Sequence, residues 1–231
     1  MIRSGRKAAR LRPSALILTL TAILMLPATR ADAASPSPFD NMMPNARFSG
    51  CFDGQAVEGN GGPCRTDNRS VYWWMERPID ETVGTDSRAE EQINVSMARD
   101  FGSTDLNTYF DSTPVFGGAA ETDVIYRHRV EDFRDARTVG YYWCDDVAGL
   151  SSSNQCDQGY INLRYIENTP AQMRALICHE TGHAVGLLHP TDSVPFKERD
   201  DTRFACMMNA PIAAFYGLGP DPNVRNINAT Y

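Results

Sequence analysis

Lysine is almost absent from this chain: 20 of its 22 basic residues are arginine, a compositional bias with no mechanistic reading. Positive charge is also in deficit. Against 29 acidic residues the net charge is −7, which excludes a nucleic-acid binder that relies on a basic face. No CxxC pair occurs, which argues against a cysteine zinc finger or a thioredoxin-like redox site. Internal repeats and low-complexity tracts are missing. The one apolar run of any length, Ser14–Leu26, has 13 residues, too few to cross about 30 Å of hydrocarbon as a helix. Histidine is rare, with four residues in 231.

What is present begins with a targeting segment. Arg3, Arg6, Lys7, Arg10 and Arg12 precede the apolar run, and Ala31-Asp32-Ala33 follows it as a small-x-small cleavage site. The pattern predicts a signal peptide over 1–33, a mature chain starting near Ala34, and secretion without a stable membrane anchor. No Arg-Arg pair marks a twin-arginine signal. Cleavage would remove six basic groups and one acid, taking the net charge to −12. All six cysteines lie in the mature part, and in an oxidising compartment they predict three disulfides, with fifteen connectivities open. At 42% hydrophobic and 22% charged residues, the remainder has globular composition.

Residues 34–70 are rich in Pro, Gly, Asn and Ser and read as an irregular arm, leaving 71–231 as the main domain. Aromatic and β-branched residues predict strands at Val71–Arg77, Asp123–Val130, Thr138–Cys144 and Tyr160–Ile166. Between the last two lies the polar stretch DDVAGLSSSNQ, read as a loop. Ala89, Ile93, Met97 and Phe101 recur every four residues and predict a helix over Ser87–Phe101. A second helix opens at Thr169 as N-cap with Pro170 at its first position, and Gly186 offers its end. Strand, helix, several strands and helix in that order predict an α/β (α+β) domain with a twisted mixed sheet.

Within that second helix stand His179, Glu180 and His183, followed by Gly186 and His189. Residues four apart share a helix face, with Cβ atoms about 5–6 Å apart, so two imidazoles can reach one zinc ion. On a straight helix His189 would lie about 15 Å further along the axis. A break at Gly186 lets the chain turn back and bring His189 in as the third ligand. Three neutral histidines leave zinc a fourth position for water, the arrangement of catalytic sites. Glu180 is rotated away from the ligand face and is placed to act as general base.

HETGHAVGLLH resembles the HExxHxxGxxH signature of the metzincin clan of zinc endopeptidases. The resemblance implies a methionine turn beneath the metal, matched to Met207 with Met208 as the alternative, and a closing helix matched to the last residues, 221–231. It implies one catalytic Zn2+, an extended polypeptide as substrate, and a cleft strand, matched to Thr138–Cys144, along which that substrate pairs. It also constrains the disulfides. If Cys178, before the first ligand, and Cys206, before Met207, converge on one metal, they pair, leaving Cys51–Cys64 and Cys144–Cys156. The subfamily stays open: snapalysin-type enzymes are expected to use aspartate where His189 stands, the astacin tyrosine is absent, and Cys51 lacks a matrixin-like switch motif.

Other features carry less. His128, in a strand, reads as structural. Asp145-Asp146 and Asp200-Asp201 form no recognisable calcium loop, so structural Ca2+ has no support from them. Three sequons, at Asn68, Asn94 and Asn228, inform only if the source is eukaryotic. The reading is a monomeric secreted zinc endopeptidase with no nucleic-acid partner. A zinc-binding module without turnover and a non-peptidase metallohydrolase are the other classes to be separated from it.

Overall fold

Alternating burial builds the sheet. In the strand Ser70–Met75 (β3), Val71, Trp73 and Met75 face the core while Tyr72 is exposed. The computed structural model describes residues 40–45, 55–56, 64–77, 86–118, 120–129, 133, 137–148, 155–164, 169–210 and 217–231. All belong to one compact unit, Ala34–Tyr231. With β1 (Gln55–Ala56), β2 (Arg65–Thr66), β4 (Asn107–Phe110), β5 (Val124–Arg127), β6 (Gly140–Val147) and β7 (Gln155–Leu163), β3 forms a seven-stranded mixed sheet. Its order is β1-β6-β7-β5-β3-β4, with β2 also pairing β7. The β3, β4, β5 and β7 pairings are parallel, whereas β6 runs antiparallel to β7. The expected α/β class is observed.

The four expected strands are present with shifted ends. The stretch read as a polar loop contributes residues to both β6 and β7, and Cys144–Cys156 bridges them at a Cα separation of 5.7 Å. Backbone pairing continues there through irregular register steps although the side chains are polar. β4, an edge strand of half-exposed and exposed residues, has no buried run by which to be recognised. β1 and β2 fall within the segment read as irregular.

Among the described residues, three α-helices pack with the sheet. α1 (Ser87–Val95) is capped by Asp86, whose side chain accepts from the Arg88 and Ala89 amides, and it continues as a π turn, Ser96–Asp100. The four-residue stripe Ala89, Ile93, Met97, Phe101 is buried along the whole length. α2 (Pro170–Ala184) opens on a capping box between Thr169 and Gln172. It is buried almost all round, because β6 and β7 pack on one side and α1 on another. The Arg174 guanidinium meets the buried Asp100 carboxylate and ties the two helices. α3 (Arg225–Thr230) is short and sits where the closing helix was expected. Among the described residues no helix is long and apolar enough to cross a membrane. The leader over 1–33 lies outside the described residues.

Both ends of the described chain meet under α2's exit. The Asn41 side chain, fully buried, donates to the Leu188 carbonyl (3.1 Å) and to Asn223 Oδ1 (3.0 Å). Asn226 donates in turn to Asn41 Oδ1, and Asn223 donates to the Phe204 carbonyl at 2.6 Å. Every member of this buried knot therefore has partners, as buried amides require.

Candidate metal centre

The motif helix ends as the spacing requires. Gly186 has φ +93°, a conformation glycine adopts without strain. A Cβ there would also stand 2.6 Å from the Arg65 side chain. The reversed chain is held on its far side by Met42, bridged to Leu187, and by the Leu188 amide donating to the Asn41 carbonyl at 2.7 Å. His189 then returns toward His179 and His183.

The three Nε2 atoms lie 3.0, 3.1 and 3.2 Å from one another. Each of the two helical rings turns its other nitrogen to a backbone carbonyl: His179 Nδ1 to Cys206 (2.7 Å) and His183 Nδ1 to Leu187 (2.8 Å). A carbonyl can only accept, so Nδ1 carries the proton and Nε2 presents a lone pair. On His189, Asp192 Oδ2 stands 3.6 Å from Nδ1 and favours the same tautomer. Lone pairs this close repel unless a cation lies between them. Ligands about 2.0–2.1 Å from a tetrahedral zinc are about 3.3 Å apart, close to the spacing observed. Burial, then the neighbouring His189, lowers the His179 pKa to about 3, and burial with the other two rings holds His183 well below its ordinary value. Both rings are thus neutral and ready to ligate.

Below the helix, the turn Thr202–Met207 carries a positive φ of 48° at Ala205, a strained conformation for a non-glycine residue. The bend presents the Cys206 carbonyl to His179 and the Met207 side chain to Gly182. A Cβ on Gly182 would stand 2.2 Å from Met207 Sδ, so glycine inside the motif makes the room Met207 fills. Met207 is thus the methionine of this turn that packs against Gly182 of the motif helix. Cys178 and Cys206 are bonded, with Cα atoms 5.9 Å apart, as expected. Cys64 is also disulfide-bonded, and its expected partner Cys51 lies outside the described residues.

Glu180 is buried and lines a cleft of about 370 Å³ with His179, Leu176, Val139, Gly140 and Asn209. Sequence reasoning placed Glu180 here but missed Gly140. A Cβ on Gly140 would lie 2.8 Å from Glu180 Oε1 and 2.9 Å from Leu176 Cδ1. Gly140→Ala should therefore displace the carboxylate and lower any turnover by about 10²-fold while metal content stays unchanged. Metal analysis and a rate assay on the same preparation check this.

His128 turns Nδ1 to the Leu163 carbonyl at 2.6 Å, which agrees with a structural role. The triad is the one group of three metal-ligating side chains among the described residues. Neither acidic pair named above joins such a group.

No protein-family model matches the chain, and no curated protein matches it. Among solved structures, the crystal structure of myroilysin aligns over 82% of this chain and 70% of its own, at 12% identity and a TM-score of 0.29. A likeness that slight carries no weight for activity. The geometry itself establishes three histidines converging on one point, able to hold a metal ion, with a buried carboxylate in the adjoining cleft.

Proposed function

We propose that the chain is a secreted zinc-dependent endopeptidase of metzincin type, acting as a monomer on extended polypeptides. Met1–Ala33 is its signal peptide, residues 34–70 its N-terminal arm and residues 71–231 its catalytic domain. The observation that carries this reading is the convergence of the three Nε2 atoms beside a cleft lined by Glu180. Zinc held there would lower the pKa of a coordinated water to about 7 and polarise the scissile carbonyl.

The chain's own residues do the remainder. The Cys206 and Leu187 carbonyls fix the orientation of His179 and His183. Glu180 accepts the proton of the attacking water on a carboxylate oxygen and returns it to the leaving nitrogen. β6 supports substrate alignment. An extended peptide can add there as a strand. Tyr142 is buried and anchors the strand from below, while Tyr141 and Trp143 stack on the opposite face.

The test is cleavage of unfolded casein by the purified chain, abolished by a chelator and restored by one equivalent of zinc. Tight zinc binding without cleavage of casein or a peptide library would overturn the peptidase reading.

A further inference from the structure

A second cleft, also about 370 Å³, shares no wall residue with the first among the described residues. Asp67, Asp111, Glu121, Asp123 and Asp157 line it, and among the described residues its wall holds no Lys, Arg or His. The carboxylates come from four segments: the chain after β2, the connection between β4 and β5, the entry to β5, and β7. Protein donors satisfy some of these carboxylates. Asp123 Oδ2 accepts from the Tyr72 amide (2.6 Å), and Asp111 accepts from the Thr113 amide (2.9 Å) and the Thr122 hydroxyl (2.7 Å).

Glu121 differs from them. It is only 7% exposed, and Oε2 accepts from the Gly117 amide at 2.7 Å, but Oε1 is buried with no hydrogen-bond partner among the described residues. The group facing it is another carboxylate, Asp157. Burial first, then Asp157, pushes the Glu121 pKa up to about 7, and burial pushes Asp123 up to about 7 as well. Two facing carboxylates with no donor between them need a shared proton or a cation. A shared proton would serve that pair alone, whereas a divalent cation would also offset the charge of Asp67 and Asp123 nearby.

We propose that this cleft is a calcium site in which Glu121 and Asp157 are the charged ligands, fastening the β4–β5 connection to the start of β7. Hard oxygen donors suit calcium, which accepts six to eight of them in irregular geometry at about 2.3–2.6 Å. Among the described residues no third carboxylate joins the pair within one ligand sphere, so main-chain carbonyls and water complete the shell.

The experiment uses the zinc-loaded full chain with calcium chloride as the only added ligand. Calorimetric titration should give one calcium ion per chain. Terbium, excited through Tyr72 in the cleft wall, should luminesce and be displaced by calcium. Glu121→Gln should weaken calcium binding at least about tenfold, since it removes one of two charged ligands. It should also reverse its effect on melting. Without calcium it melts above the wild type, because a repulsion is gone; with calcium it melts below, because a ligand is gone. Asp157→Asn, at a half-buried position, should show the same crossover and serves if the first variant folds poorly. Wild-type protein that binds no calcium, variants that bind it as tightly as the wild type, or variants that melt above the wild type in both conditions would overturn the proposal. The last outcome would identify a proton-sharing pair instead.

Discussion

Glu180→Ala should bind one zinc ion per chain and hydrolyse casein at least about 10³-fold more slowly than the wild type, within the range general-base catalysis supplies. The metal ligands are untouched by this change, and the orienting carbonyls of Cys206 and Leu187 stay in place. The loss should fall on kcat, because the carboxylate accepts a proton only as the water attacks. Glu180→Gln, which keeps the shape but cannot take the proton, should be nearly as slow. Full activity in either variant would refute the role assigned to Glu180. A variant that loses zinc as well would instead show the carboxylate to be part of the metal's hold.

Removing the Cys178–Cys206 bridge should have the largest effect on the fold. The bond spans a sequence separation of 28, and both cysteines are fully buried. Chain entropy gives about 3–4 kcal/mol for a loop of this size. In a domain of this length that corresponds to a melting midpoint lower by about 10 °C. The pair Cys178→Ala and Cys206→Ala avoids burying a hydroxyl in place of sulfur. Zinc affinity should also fall, by about 10–100-fold, because the Cys206 carbonyl orients His179 and loses its tether. Alanines at Cys144 and Cys156 are the control. They remove a bond of separation 12 worth about 3 kcal/mol on the same model, yet should leave zinc affinity unchanged. Equal loss of zinc affinity from both pairs would show that the first bridge has no special hold on the site.

The convergence of His179, His183 and His189 was legible in the sequence because helical geometry converts a spacing of four into a shared face, and because glycine at 186 marks a reversal. The Cys178–Cys206 pairing was legible through the resemblance, which sets Cys206 in a turn beneath the motif helix, and the bond is observed. What stayed hidden has a physical reason in each case. β4 is an edge strand with little buried surface, so its side chains carry no alternation. Gly140 and Gly182 matter through atoms far along the chain, Glu180 Oε1 and Met207 Sδ, and local composition gives no hint of such approaches. The polar stretch between Cys144 and Cys156 looked like loop because strand pairing there runs through backbone groups that side-chain patterning does not report. Asn41 lies in the arm read as irregular and Asn223 and Asn226 in the expected closing helix, and nothing local marks any of them as a core residue until folding brings them together.

The asparagine knot also sets an order of assembly. Its bonds join positions 182 and 185 residues apart, nearly the full span of the described chain. Contacts so distant in sequence form late, since closing their loop costs entropy before any bond repays it. The segment they secure is Leu188, the residue before the third histidine. A growing chain that carries all three histidines but lacks Asn223 and Asn226 misses two of the partners that fix Asn41 against Leu188. The spacing of the three histidines therefore depends on contacts from the last segment of the described chain, and the arrangement able to hold a metal matures late in folding.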